Sequence, residues 1–383
     1  MKNFIFQNPV KLILGKGQIS KLNKEIPAGT KVMMTYGGGS IFKNGVYDQV
    51  KAALGSLDVI EFGGIEANPD FDTLMKAVAI CKEEKVDMLL AVGGGSIIDG
   101  TKFIAAAIKY EGDAWELLMD GSITSGAIPL ATVLTLPATA SEMNCTAVIS
   151  RRATKEKFAF NNTACFPKFS ILDPTTIYSL PKKQVTNGII DIFMHTVEQY
   201  LTVCNSTMVM DRWAEGLLST LIELAPSLLK DERDYDACAN FMLTATMGLN
   251  GFISMGVVED WATHMIGHEL TALHGLDHGV TLAIVYPGML YIMQEEKKGK
   301  LLQYAERVWG VTDGTEAERI AKAIESTENF FNSLGVNTKL SQYGIGEETI
   351  NEIVNRFTNR NWNVGEFGNV TPAKVRAILE CQK

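Results

Sequence analysis

The sequence is short of several things, and each shortage removes a class of function. It has no basic patch: 44 Asp and Glu outnumber 35 Lys and Arg, and the acids are spread along the chain. That balance excludes a nucleic-acid surface. No apolar run reaches the ~18–20 residues needed to span a bilayer, so no membrane association is expected. In MKNFIFQNPVKLILGKG, Asn8, Pro9 and Lys11 interrupt any signal-peptide core. There is no C-x-x-C pair among Cys81, Cys145, Cys165, Cys204, Cys238 and Cys381. Such scattered cysteines read as reduced, mostly buried thiols of a cytoplasmic protein. Histidine is scarce too, with five in 383 residues, and four of the five fall between His264 and His278.

What is present suggests two domains. The first half alternates strand-like runs (KVMMTYG, DVIEFGG, VDMLLAVGGG, ATVLTLPAT) with segments of helical periodicity (FDTLMKAVAICKEEK, SIIDGTKFIAAAIKY). This pattern predicts right-handed βαβ units and a parallel sheet covered on both faces. After LDPTTIYSLP, a hinge bracketed by Pro174 and Pro181, helical periodicity takes over. The expected organisation is an α/β dinucleotide-binding, Rossmann-like domain over 1–179. An all-helical, metal-binding domain over 180–383 follows it, with the active site in a cleft between the two.

Two glycine turns carry the cofactor argument. LLAVGGGSIIDGTK puts Gly93, Gly94, Gly95 and Ser96 between a strand and a helix. There the backbone can approach a phosphate and offer the helix's unpaired N–H groups. The competing reading is a tight turn with Ser96 as N-cap and Asp99 completing a capping box; three consecutive glycines exceed what capping needs. The second turn, VMMTYGGGSIFKNG, has Gly37, Gly38, Gly39 and Ser40 where an NAD site often has an acid for the ribose 2′-hydroxyl. Without that carboxylate nothing repels a 2′-phosphate, which favours NADP. LILGKGQIS lacks the third glycine of a dinucleotide fingerprint and reads as an ordinary turn.

GIIDIFMHTVEQY sets Asp191 and His195 at helical i, i+4 spacing, and WATHMIGHEL does the same with His264 and His268. Surface or capped polar residues are the plain alternative. Asp191 and His195, however, stand among Ile189, Ile190, Ile192, Phe193 and Val197, where charged groups are usually paired or bound to a metal. The H-E-x-x-H protease motif is excluded, because HELTA has Ala272 where the second His belongs. His274 falls off that helix face, and a turn at Gly275 would let His278 approach from another direction. An Asp-plus-His set suits one divalent ion, Fe²⁺ or Zn²⁺.

Taken together, YGGGS, AVGGGSIIDGTK, TLPATASEMN, NGIIDIFMHTVEQY and DWATHMIGHELTALHGLDHGVTLAIV resemble the iron-containing alcohol dehydrogenases over essentially the whole chain. The likeness is greatest to their NADPH-dependent butanol dehydrogenase and aldehyde reductase branch. The resemblance implies the dehydroquinate synthase-like fold of that family and metal ligands at Asp191, His195, His264 and His278. It implies a cofactor site at Gly93–Ser96 with Asp99, lined by Thr135, Thr139, Ser141 and Asn144, with Lys157 near the nicotinamide ribose. NAD-preferring members often carry Asp where Gly38 stands. His268 is left to face nicotinamide and substrate, where it could pass a proton or position the alcohol oxygen, the plain alternative being a histidine hydrogen-bonded for packing; His274 is left to a cleft-wall or structural role or to a late place in a proton relay.

The expected reaction is hydride transfer between NADPH and a small aliphatic, butanal-like aldehyde, giving a primary alcohol in a likewise expected homodimer. The rivals are an NAD-linked glycerol or diol dehydrogenase of the same superfamily and a metal-dependent hydrolase. The two glycine turns argue against the hydrolase.

Overall fold

The computed structural model describes residues 1–120, 123, 125–202 and 207–383, so Cys204 lies outside the described residues. The chain divides into two units, Gln7–Pro181 with Lys230–Asn250, and Met1–Phe6 with Lys182–Leu229 and Gly251–Lys383.

The first unit is built on a six-stranded parallel sheet. Its strands are β1 (Lys11–Leu14), β2 (Lys31–Tyr36), β3 (Asp58–Phe62), β4 (Met88–Gly94), β5 (Leu130–Leu136) and β8 (Phe169–Leu172). They run in the order β1-β8-β5-β4-β2-β3. Strands β6 (Thr146–Arg151) and β7 (Glu156–Asn161) form a separate antiparallel hairpin. The central strands read as continuous apolar runs because both their faces are covered: MLLAV of β4 and LATVL of β5 are entirely buried. The edge strands β1 and β3 are only partly buried.

Three loops that follow strand ends lie side by side, since β4 pairs with β2 on one edge and β5 on the other. These are the turn at Gly37 after β2, the glycine turn where β4 meets the helix Gly95–Ala107, and TLPATAS after β5. Ligands of open α/β sheets bind outside such carboxyl ends.

A single cut at 179/180 does not describe the chain path. The helix Tyr235–Gly248 belongs to the α/β unit, where Thr246 Oγ1 donates to Glu142 Oε1 (2.6 Å) and Arg233 Nη1 to the Ile177 carbonyl (2.6 Å). Met1–Phe6 joins the helical unit instead, through Lys2 N–H to the Gly256 carbonyl (2.9 Å) and Phe6 against Phe252. The proposed hinge is a 3-10 helix, Pro174–Ser179, packed into the α/β unit, and the boundary falls after Pro181.

In the helical unit, His278–Ile292 is apolar on every side and runs through the core. It packs against the helices Lys182–Tyr200, Ala262–His274 and Pro372–Glu380. A helix hydrophobic all round has to be buried, so its neighbours are fixed around it. Among the described residues no helix is long and apolar enough to cross a membrane.

Candidate active site

Three elements of the helical unit deliver the metal-type side chains. Asp191 and His195 project from one face of Lys182–Tyr200, His264 and His268 lie on Ala262–His274, and His278 opens the helix His278–Ile292. Gly275, at φ +68°, ends the second helix in the left-handed conformation and turns the chain so that His278 arrives from a different direction. Gly279 allows the final approach. A Cβ there would stand 2.7 Å from the Asn187 carbonyl oxygen, so only glycine lets His278 come this close to the Asp191 helix.

The result is a convergence on one oxygen. Asp191 Oδ1 lies 3.5 Å from His195 Nε2, 3.8 Å from His264 Nε2 and 3.5 Å from His278 Nε2. Four ligands at ~2.1 Å around a tetrahedral ion stand about 3.4 Å apart, so these separations fit the edges of a coordination polyhedron. Asp191, His195 and His264 are all buried. His264 Nε2 is itself buried with no hydrogen-bond partner, while its Nδ1 meets Glu198 Oε2. That contact assigns the proton to Nδ1 and leaves Nε2 a lone pair directed at the cluster. Burial would lower the His264 pKa, but the Glu198 and Asp191 carboxylates outweigh it and push it up to about 9. Surroundings that favour an imidazolium favour a bound cation for the same reason. Asp191, His195 and His264, whose ligand atoms all lie within 4.8 Å of one another, therefore fit one divalent ion, with His278 Nε2 beside them at 3.5 Å from Asp191 Oδ1.

His268 sits one helical turn from His264. It is buried, with its ring centroid 5.3 Å from that of His278 and 6.3 Å from that of His264. The structure separates His274 from this group. It is exposed in the last turn of its helix, with Nε2 2.9 Å from Thr349 Oγ1.

In the α/β unit, the capping box is not formed. Gly94 is the N-cap of Gly95–Ala107 and no side chain caps that end. Asp99 is buried and accepts from Ser141 Oγ (2.5 Å) and from the Val148 N–H (3.0 Å). Beside it lies Lys102, fully buried, whose Nζ donates to Ser141 Oγ, Asn144 Oδ1 and the Thr146 carbonyl, each at 2.8 Å. Burial pushes the Lys102 ammonium down to about 8 and raises the Asp99 carboxyl. Asn144 also spends its amide hydrogens, on the Thr139 carbonyl (3.1 Å) and the Leu249 carbonyl (3.0 Å). The side chains of Asp99, Ser141 and Asn144 thus hold TLPATASEMN onto the glycine-turn helix.

The glycines of this turn serve packing as well. A Cβ on Gly93 would meet Ile97 at 2.4 Å, and one on Gly95 would meet Thr139 Oγ1 at 2.5 Å. Lys157, on β7, is buried and donates to Asn68 Oδ1 (2.9 Å), while the Asn68 N–H reaches Ser96 Oγ (3.4 Å). Lys155 sits exposed in the hairpin turn at φ +53°. Gly38 is exposed, and a Cβ built on it finds nothing within 4 Å.

Family profiles agree with this geometry. That of iron-containing alcohol dehydrogenase matches residues 9–174, and that of the C-terminal part of the Fe-containing alcohol dehydrogenase family matches 185–382. The chain belongs to the iron-containing alcohol dehydrogenase family. It is 50% identical, over 100% of both chains, to the NADPH-dependent aldehyde reductase YqhD of Escherichia coli K12. It is 41% identical, over 99% of both, to a probable NADH-dependent butanol dehydrogenase of Bacillus subtilis. The crystal structure of YqhD superposes with a TM-score of 0.98, covering 100% of this chain and 99% of that one. An alcohol dehydrogenase of this family is an oxidoreductase that uses a nicotinamide cofactor and a divalent metal.

Glu198 and Lys102 stand inside the motifs NGIIDIFMHTVEQY and AVGGGSIIDGTK without a role read for either, and Asn68 lies outside them. Glu198 carried a usable signal, standing in HTVEQY one turn after His195 on the same buried helix.

Proposed function

We propose that this enzyme reduces small aliphatic aldehydes of the butanal class to primary alcohols with NADPH, and oxidises such alcohols in reverse. Asp191, His195, His264 and His278 would hold one divalent ion, Fe²⁺ or Zn²⁺. The observation that carries the reading is the meeting of three Nε2 atoms at Asp191 Oδ1 (3.5, 3.8 and 3.5 Å). When bound, the nicotinamide supplies the hydride and the ion supplies Lewis-acid stabilisation of the developing alkoxide, a matter of several kcal/mol.

The remaining work falls to the chain. Glu198 keeps His264 in the tautomer whose Nε2 faces inward. His268, buried beside His264 and His278, carries the proton that reaches the product oxygen. The first-turn N–H groups of Gly95–Ala107 receive the pyrophosphate. Lys157, steadied by Asn68, takes the ribose side. The carboxylate-free turn Gly37–Ser40 takes the 2′-phosphate, and the open space at Gly38 supports that preference. The name of the E. coli relative agrees with NADPH, whereas that of the B. subtilis relative is NADH-dependent, so the turn residues rather than family membership support the choice. We also infer a cytoplasmic homodimer; the free thiols of Cys81, Cys145, Cys165, Cys238 and Cys381 support a reducing compartment.

Elemental analysis, followed by butanal reduction with NADPH and with NADH before and after chelation, tests the proposal. Full activity in metal-free protein would sink it.

A further inference from the structure

The helices of the metal centre are tied together by a buried ion cluster that the chemistry above does not use. Lys297 is 5% exposed, and its Nζ donates to the Leu201 carbonyl (2.8 Å), Asp260 Oδ2 (2.8 Å) and Glu366 Oε1 (3.1 Å). An ammonium has three hydrogens, and all three are spent. Burying such a cluster costs desolvation that its attraction often only offsets, so stability alone does not account for it.

Its partners lead to the metal ligands. Leu201 directly follows the helix that carries Asp191 and His195. Asp260 turns its other oxygen to the first turn of the next ligand helix, where Oδ1 accepts the Ala262 N–H (2.9 Å). The Asp260 N–H donates to the Glu198 carbonyl (2.9 Å). Glu198 Oε1 accepts the Thr263 N–H (2.7 Å), and Oε2 meets His264 Nδ1. Between these anchors Trp261 is held at φ +62°, a left-handed conformation that costs a non-glycine residue ~1–2 kcal/mol. Trp261 is the N-cap position of the helix, yet its side chain makes no capping bond. Two carboxylates, Asp260 and Glu198, therefore hold the helix start that presents His264, and Lys297 holds Asp260.

We infer that Lys297 is a positioning residue for the metal centre: it clamps the end of the Asp191/His195 helix to the start of the His264 helix, and so sets the affinity and geometry of the divalent-ion site. The inference rests on the reading of Asp191, His195, His264 and His278 as that ion's ligands.

The test uses the full chain, stripped by chelation and titrated with Co²⁺, whose visible absorption reports both occupancy and ligand geometry. Lys297→Met should bind Co²⁺ roughly 10–100-fold more weakly, the usual effect of losing an outer-shell partner. Its absorption bands should also be displaced, while far-UV circular dichroism and NADPH affinity stay as in the parent. A variant with the parent's Co²⁺ affinity and spectrum overturns the role of Lys297. Failure of the parent itself to bind Co²⁺ overturns the metal reading instead, so the two failures are distinguishable. Should Lys297→Met not fold, Asp260→Asn decides, because it removes the charge that Lys297 grips while keeping an oxygen for the Ala262 N–H. Several-fold weaker Co²⁺ binding with the same band displacement supports the clamp, and parent-like binding refutes it.

Discussion

Gly38→Asp isolates the cofactor argument from the fold. Gly39 is left-handed at φ +98°, whereas Gly38 is outside that region and a Cβ on it has nothing within 4 Å. An aspartate is therefore accommodated without strain, and what changes is charge. Two unit charges 4 Å apart interact by ~1 kcal/mol in water and ~4 kcal/mol at a protein surface, and a 2′-phosphate carries about −1.5 to −2. Because Gly38 is exposed, the watery end of that range applies. A repulsion of ~1.5–2 kcal/mol follows, which is about a 10- to 30-fold loss in NADPH affinity. NADH, whose 2′-hydroxyl can donate to the new carboxylate, should bind equally well or several-fold tighter. Fluorescence titration of each cofactor measures both, and kcat/KM with butanal should follow the same order. The NADPH loss should also shrink between 0.1 M and 1 M salt, since the screening length falls from ~10 to ~3 Å. Equal weakening of both cofactors, or an NADPH effect indifferent to salt, would refute the assignment of this turn to the 2′-phosphate.

Two further substitutions probe the other sites. His278→Ala removes the ligand that comes from its own helix, and should abolish metal retention and turnover while helical content and NADPH binding persist; retained activity at full metal content would remove His278 from the ligand set. Lys102→Met leaves Ser141 Oγ, Asn144 Oδ1 and the Thr146 carbonyl without the buried donor they share, and each buried group left unpaired costs ~1–3 kcal/mol. For a unit of this size that is roughly 10 °C or more in Tm, and a melting curve unchanged within a degree or two would contradict the network drawn here.

The fold was legible where burial is two-sided. β4 and β5 announce themselves as apolar runs bounded by glycine or proline, because a parallel strand covered on both faces needs nothing polar. β1 and β8 are four residues each, too short to show a period. The helix Tyr235–Gly248 has ordinary helical periodicity. Nothing local says that Thr246 will bond Glu142, more than a hundred residues earlier, so a division drawn by texture alone assigns it to the wrong unit. Asp99 was open to two readings for a related reason. A Ser-x-x-Asp at a helix start has the spacing of a capping box, and only the arrival of Ser141 and Val148 from another segment decides what the carboxylate does.

The histidines show where spacing stops being informative. His264 and His268 stand four apart on one helix, and that spacing alone would present them as a matched pair of ligands. Their rings instead lie nearly perpendicular, at 86° with centroids 6.3 Å apart. His264 is stacked on His195 at 4.8 Å and 14°. The side chain that distinguishes the two is not on their helix: Glu198 takes the Nδ1 of His264, which turns Nε2 towards Asp191. Periodicity can say which residues share a face, but which ring nitrogen of His264 faces Asp191 is set by a carboxylate on a neighbouring helix. Motif strings therefore report the side chains that converge more readily than the residues that orient them.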